Sequence, residues 1–201
     1  MKYLTYWLSF AAYMSLHAMR MSYSFSKPSI QKHFHLSNAF MGMIDAVVYC
    51  SAGIGLISRF FINGKCEPLK GYFISSTLCA IMFMILPLMG YLSNSDYTGI
   101  TPLWAKAAII VVMCLFGFCQ LNSWPAMLLL VNEYFNAEKE SAALGFWGAC
   151  GDAGNIVGFF VASLAVYTFK CSWEVPMFIF GISSLLLAIC VFKLLKLKDT
   201  A

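Results

Sequence analysis

The chain has 201 residues, of which 61% are hydrophobic and only 11% are charged. A soluble domain usually has about 45–50% apolar and roughly 25% charged residues, so this composition excludes an ordinary water-soluble enzyme. A helix needs roughly 20 apolar residues to cross a bilayer. A chain of this length therefore accommodates about six spans and no separate soluble domain.

The apolar segments predict six transmembrane helices joined by short polar connections. In chain order, the predicted spans are 4–26, 39–62, 71–93, 104–134, 141–166 and 174–195. Prolines and clusters of Asn, Gly and Asp separate them, as expected where helices end. The predicted fold is a single all-α transmembrane domain over residues 1–201. The first apolar run contains Arg20, which predicts a retained helix and not a cleaved signal peptide.

Polar residues form a stripe on the first predicted helix. Tyr13, His17, Arg20 and Ser24 follow one another at spacings of four, three and four, which places them on one helical face. Such a stripe is expected to face the bundle interior or a water-filled cavity. The planar guanidinium of Arg20 suits two-point recognition of a phosphate or carboxylate. A structural arginine that snorkels or pairs with Asp45 is the alternative, and His17 alone fits an interhelical hydrogen bond.

Two acidic residues also lie inside predicted spans, where a charge is costly. Asp45 is in the second span and fits an interhelical hydrogen bond or salt bridge. Asp152 is in the fifth span, close to Asn155. These two either line a cavity or bond across a helix interface.

Small residues and a proline indicate where helices pack or bend. Glycines at spacings of three or four in the fifth span predict a face that lets another backbone approach closely; they are Gly145, Gly148, Gly151, Gly154 and Gly158. Pro125 predicts a kink in the fourth span, with Trp124 packing beside it. Gly42 and Gly55 have the same 13-residue spacing as Gly145 and Gly158, which hints at an internal repeat.

The basic residues favour an orientation with both termini on the cytoplasmic or matrix side, because short loops on that side are enriched in Lys and Arg. That side would hold eight of the basic residues and the other side four; the eight are Lys2, Arg59, Lys65, Lys70, Lys139, Lys193, Lys196 and Lys198, and the four are Lys27, Lys32, Lys106 and Lys170. The net charge of +4 is too scattered for a nucleic-acid partner.

The remaining reactive residue types do not indicate catalysis. None of the eight cysteines forms a C-x-x-C pair, and most lie in apolar runs, which favours packing over disulfide or metal roles. No Ser/His motif, paired catalytic aspartates or acidic cluster is visible. We therefore expect a protein that is not an enzyme and that has no cofactor or metal.

Four segments together resemble the organophosphate:phosphate exchangers of the major facilitator superfamily, the glycerol-3-phosphate and sugar-phosphate antiporters. Segment 12–30 resembles the first helix with its H-x-x-R motif, and segment 40–56 the second helix with an acidic residue at Asp45. GFCQLNSWP (117–125) resembles G-x-x-Q-x-x-G-W-P, and GFWGACGDAGNIVG (145–158) resembles the family's fifth helix. The resemblance implies half of a major facilitator fold, a three-plus-three inverted repeat. It also implies exchange of a phosphorylated small molecule for phosphate, with Arg20 binding the phosphate beside His17 and Tyr13.

The chain also departs from that family's pattern. Met21 stands where a basic residue is usual, Ser123 replaces a glycine, and Glu140 replaces a basic residue. The G-x-x-x-D-[RK] loop signature is reduced to Lys65, with Gly64 in place of the aspartate.

These departures, and a length that matches one six-helix half, predict a partner-dependent or non-transporting structural subunit of a larger membrane complex. The alternative is an active antiporter formed by pairing with a second half or another copy. The expected partners are the lipid bilayer, other membrane subunits or a second transporter half, and a phosphorylated small molecule. The mitochondrial inner membrane and the endoplasmic reticulum are the two candidate locations.

Overall fold

The computed structural model describes residues 2–62, 67–93, 102–132 and 137–199. Every regular element within these ranges is helical. The helices are α1 (Lys2–His33), α2 (Asn38–Ile62), α3 (Pro68–Leu92), α4 (Leu103–Asn132), α5 (Ala137–Gly148), α6 (Cys150–Ser163) with a π-helical turn at Leu164–Thr168, and α7 (Glu174–Asp199). Gly64 and Lys65, the remnants of the loop signature, lie outside the described residues, and so does the side chain of Glu140.

Five helical segments in the described part of the chain are long and apolar enough to cross a membrane. They are Asn38–Arg59, Pro68–Leu92, Leu103–Asn132, Ala142–Thr168 and Glu174–Lys196. Helix α1 is long enough but is not among the five, because it carries Arg20, Lys27 and many serines. The prediction of six spans therefore stays a prediction.

Helix α1 can contain many polar residues because most of its surface packs against other helices. It packs most extensively on α6 and α7 and also touches α2, α3 and α4. Two of its buried serines hydrogen-bond locally: Ser9 donates to the Tyr6 carbonyl, and Ser15 to the Ala12 carbonyl. Ser15 also bonds the hydroxyl of Ser184 on α7 at 3.1 Å. A helix that is hydrogen-bonded and shielded in this way does not need an apolar surface.

Helix α1 extends beyond its predicted span, through Pro28 to His33. Proline removes one backbone hydrogen bond and usually ends or kinks a helix. Here the buried face continues past it, since Ile30 is 1% exposed and Phe34, just after the helix, is fully buried. Packing thus maintains the helix where the sequence indicates a break.

Two tight helix crossings depend on glycine. A Cβ atom at Gly158 would lie 2.7 Å from Cα of Ala18, and one at Gly154 would collide with the Met14 carbonyl. These contacts set the crossing of α6 on α1. In the same way, a Cβ at Gly55 would collide with the Phe118 carbonyl where α2 crosses α4. Such close approach places backbones in van der Waals contact within lipid.

The predicted glycine packing face is wrong for Gly145 and Gly148, which have nothing within 4 Å of an added Cβ. The reason is a break in the fifth span at Ala149, between α5 and α6. The Ala149 amide there donates to the Phe146 carbonyl at 3.1 Å, a tighter turn than in an α-helix. The break turns these glycines away from the crossing that Gly154 and Gly158 form.

Buried amides connect the remaining helices. Asn122 of α4 donates to the Gly55 carbonyl and the Ser58 hydroxyl of α2 at 3.1 and 3.2 Å. It accepts a hydrogen bond from Ser75 of α3 at 2.8 Å. Gln120 of α4 donates to the Leu16 carbonyl of α1 at 3.1 Å. Helix α4 is continuous through Trp124 and Pro125, so the same helix carries these amides and contributes to the cavity described next.

Candidate anion-binding cavity

A cavity of about 450 Å³ lies among α1, α2, α4 and the junction of α5 with α6. Volumes of this size are typical of small-molecule sites. Its lining combines aromatic, charged and glycine residues: Tyr13, His17, Arg20, Leu56, Leu121, Trp124, Gly148, Gly151, Asp152 and Asn155. The helix break at Ala149 lies at the edge of this cavity. Irregular backbone inside a membrane is tolerated where it lines such a cavity.

Arg20 is the positive group of this cavity. One guanidinium nitrogen, Nη2, donates to Asn155 Oδ1 at 3.5 Å and contacts His17 Nδ1 at 3.5 Å. A guanidinium only donates, so this contact is a hydrogen bond in the His17 tautomer that carries its proton on Nε2. Both contacts are long, and both use neutral groups. Among the described residues, no carboxylate oxygen lies within 4.0 Å of the guanidinium.

Asp45, which the sequence offered as a partner for Arg20, is paired elsewhere. Its carboxylate binds Lys27, with Nζ–Oδ1 and Nζ–Oδ2 distances of 2.7 and 2.8 Å. Lys27 lies two turns beyond Arg20 on α1 and also sits over the Tyr23 ring at 5.3 Å. The alternative in which Arg20 pairs with Asp45 is therefore wrong, and Asp45 forms an interhelical salt bridge with Lys27 instead.

Aromatic rings form one wall of the cavity. Tyr13 packs against Trp124 with 4.7 Å between ring centroids and against His17 with 5.1 Å. Trp124 packs in turn on Trp147, at 5.2 Å. Trp147 is fully buried and donates from Nε1 to Ser9 Oγ at 3.0 Å, which fixes it between α1 and α5. In this wall each ring packs against another ring, and Trp147 is also held by a hydrogen bond.

The structure brings most of the sequence-predicted site residues to this one cavity. Tyr13, His17, Arg20, Trp124, Gly148, Gly151, Asp152 and Asn155 line it, whereas Asp45, Pro125, Gly154 and Gly158 do not. Gly151 lies against the His17 ring, with an added Cβ 3.3 Å from Cε1.

Two residues that support the site were not predicted from the sequence. Trp147 belongs to segment 145–158 and Gln120 to segment 117–125, both of which resemble the family, but the sequence pattern assigned neither residue a role. Gln120 holds α1 by the Leu16 carbonyl, one turn before Arg20. An aromatic residue or an amide in the middle of an apolar span was the available signal for both.

The cavity offers a guanidinium, an imidazole and an amide as possible hydrogen-bond donors to a ligand. A charged group in an apolar environment needs a counter-charge or strong hydrogen bonds, and Arg20 has only two long contacts to neutral groups. Among the residues that the structure describes, no group of three His, Cys, Asp or Glu side chains could hold a metal ion. A bound oxyanion would supply the missing counter-charge.

Comparison with known proteins identifies the family. A sequence model described as Major Facilitator Superfamily matches residues 9–201. The chain is 25% identical to Sugar phosphate exchanger 3 of Mus musculus, over 78% of this chain and 35% of that protein. It is 27% and 26% identical to Glucose-6-phosphate exchanger SLC37A2 of Bos taurus and Homo sapiens, over 76% and 77% of this chain and 28% of each relative.

The chain thus spans about a third of the length of the curated relatives that it matches. The resemblance to sugar-phosphate exchangers is confirmed, and the apolar helices and these relatives together identify an integral membrane protein. The chain belongs to the major facilitator superfamily.

Proposed function

We propose that this chain is a transporter-like, partner-dependent membrane protein whose cavity binds the phosphate group of a small organic phosphate. The observation that carries the proposal is the state of Arg20. Its guanidinium lines a cavity, and no carboxylate of the described residues lies within 4.0 Å of it. Arg59 also has no such partner among the described residues, but it is buried against Gly71 outside the cavity, whereas Arg20 is placed where a ligand can reach it.

The neighbours of Arg20 favour a phosphate ligand. A guanidinium can hold two phosphate oxygens at once through parallel N–H donors. The Nε2 proton of His17 and the amide of Asn155 offer further neutral donors beside it. Lys27 is not available for this role, because Asp45 already neutralises it. The two named groups of relatives are exchangers of sugar phosphates, which agrees with a phosphorylated substrate.

We also propose the three-plus-three inverted repeat that the family resemblance implies. The support comes from two crossings that correspond in the two halves of the chain. Gly55 of α2 crosses α4 and Gly158 of α6 crosses α1, each at a backbone contact that leaves no room for a Cβ. Gly42 and Gly145, each 13 residues earlier, both have open surroundings. The inverted repeat relates α1 to α4 and α2 to the fifth span, which accounts for both pairs.

Partner dependence follows from how such folds work. Transport by alternating access needs two helix bundles that rock around a shared site, and the described residues form one bundle around Arg20. The second bundle is either another copy of this chain or a different polypeptide segment. The lipid bilayer covers the remaining surface of the first bundle. For orientation, we propose that both termini face the cytoplasm or matrix, as the basic residues favour.

A second candidate is a non-transporting structural subunit, and Arg59 is the observation that favours it. Arg59 is 2% exposed, and its guanidinium lies directly over Gly71 of α3. Its Nε and Nη2 atoms have no hydrogen-bond partner among the residues that the structure describes. A buried arginine wedged between α2 and α3 resists the helix movements of a transport cycle. In this case Arg20 would hold a phosphate-bearing lipid or small molecule without moving it.

Equilibrium binding tests the proposed site. The full chain, purified in lipid nanodiscs, is titrated with labelled inorganic phosphate and with glucose 6-phosphate. We expect saturable binding that Arg20→Gln removes. Lys193→Gln is the matched control, because Lys193 is an exposed cation outside the cavity. Binding that Arg20→Gln leaves unchanged would refute the proposal.

Phosphate exchange separates the two candidate functions. Liposomes that contain the chain alone, or the chain with its co-purified membrane partners, are loaded with phosphate and given labelled phosphate outside. Partner-dependent transport predicts exchange only when the partners are present and Arg20 is intact. Binding without exchange in either preparation would favour the structural subunit.

A further inference from the structure

The cavity also contains a negative group. Asp152 lines it from α6, together with Arg20 from α1. The described ion pairs are Lys27–Asp45 and Lys70–Glu67, so Asp152 has no cationic partner within 4.0 Å in that part of the chain. The cavity therefore presents one positive and one negative side chain, each without a counter-charge from the described residues.

The two charges are close but separate. Asp152 and Asn155 are one turn apart on α6, and Asn155 is the residue that accepts a hydrogen bond from Arg20. One helical turn corresponds to about 5 Å along the axis. A small ligand in the cavity can therefore reach both groups.

A purely anionic ligand fits this pair of charges poorly. A phosphate dianion at Arg20 gains the guanidinium but is repelled by the carboxylate of Asp152. A ligand that also carries an ammonium group compensates both side chains at once.

We infer that the preferred ligand is a zwitterionic phosphate ester, with its phosphate on Arg20 and its protonated amine on Asp152. This inference rests on the proposed function, since it assigns the substrate class of the same cavity. It also gives Asp152 a role in specificity that is distinct from anion binding.

Matched ligand pairs test the inference. Each pair differs by an amine: glucosamine 6-phosphate against glucose 6-phosphate, and phosphoethanolamine against ethyl phosphate. They compete with labelled phosphate for the full chain in nanodiscs. We expect the amine to strengthen binding by about tenfold in at least one pair, the effect of one charge-assisted hydrogen bond.

Variants at Asp152 identify the group that recognises the amine. Asp152→Asn keeps the shape and should reduce the preference to within about twofold, while Asp152→Glu, which keeps the charge, should retain it. Equal affinity within both pairs, or a preference that Asp152→Asn leaves intact, would overturn the inference while leaving phosphate binding in place. If none of the four esters binds, the proposed function fails as well.

Discussion

Lys27 of α1 and Asp45 of α2 form an ion pair, with 2.7 Å between Nζ and Oδ1. In this pair, Lys27 lies two turns from Arg20, and Asp45 is the acidic residue that was the alternative partner of Arg20. The two charges neutralise each other. Because the pair is closed, Arg20 keeps an uncompensated charge toward the cavity. The proposed anion site is therefore assigned to Arg20 and not to Lys27, whose charge Asp45 already neutralises.

A double-mutant cycle at the Lys27–Asp45 pair should show coupling without an effect on the cavity. Both side chains are about one-third exposed, at 29% and 34%, so we expect a coupling free energy of about 1 kcal/mol between Lys27→Met and Asp45→Asn. Phosphate affinity should stay within about twofold, since distant sites act independently. The measurements are unfolding in mixed micelles and phosphate titration. A large gain of phosphate affinity in Asp45→Asn would mean that the freed Lys27 acts on the site.

Replacing Asn155 with aspartate should switch off the anion site without disturbing its shape. The new carboxylate would lie 3.5 Å from Arg20 Nη2, where the amide oxygen lies now. It would supply the counter-charge that phosphate is proposed to supply, so we expect at least a tenfold loss of phosphate affinity, or roughly 1.4 kcal/mol. Asn38→Asp is the control, because Asn38 is exposed at the start of α2. Unchanged phosphate affinity in Asn155→Asp would argue against Arg20 as the ligand.

Alanine at Gly158 should destabilise the bundle, whereas alanine at Gly145 should not. A Cβ at position 158 would lie 2.7 Å from Ala18 Cα, and one at 145 would meet nothing within 4 Å. Forcing α1 and α6 apart should cost about 1–3 kcal/mol. Thermal unfolding in detergent measures the difference between the two variants. Equal stability of the two variants would show that α1 and α6 cross with more space than these distances indicate.

Leucine at Asn122 should weaken the contact between α2, α3 and α4. The substitution removes donors to Gly55 and Ser58 and leaves the Ser75 hydroxyl without its acceptor. We expect a loss of about 1–2 kcal/mol in unfolding free energy, toward the upper range for polar contacts in membranes. Phosphate affinity should be retained, because Asn122 does not line the cavity. If Asn122→Leu has the same free energy of unfolding as the unmodified chain, this role of Asn122 is contradicted.

The cavity side of α1 was predictable because spacing alone determines a helical face. Tyr13, His17 and Arg20 follow at intervals of four and three and line the cavity, whereas Ser24, the fourth residue of the predicted stripe, does not. Asp152 and Asn155 share a face of α6 for the same reason. A polar residue in an apolar segment is conspicuous, so these positions could be selected without a structure.

Interhelical partners were not predictable in this way. The sequence indicates a break at Pro28, yet buried packing of Ile30 continues α1 and so brings Lys27 to Asp45. The break at Ala149, which has no proline or charge to mark it, turns Gly148 toward the cavity and away from α1. Both outcomes depend on tertiary contacts, which local patterns do not encode.

The most direct test of the central claim is the contact between Arg20 and phosphate. The sequence contains two arginines, Arg20 and Arg59, and Arg59 is buried against Gly71 outside the cavity. Solid-state NMR on the arginine-¹⁵N-labelled chain in lipid, with inorganic phosphate, measures the ¹⁵N–³¹P dipolar coupling. We predict a coupling at hydrogen-bond distance that disappears in Arg20→Lys, which keeps the charge but removes the labelled guanidinium. A coupling that persists in Arg20→Lys, or none in the unmodified chain at saturating phosphate, would contradict the account.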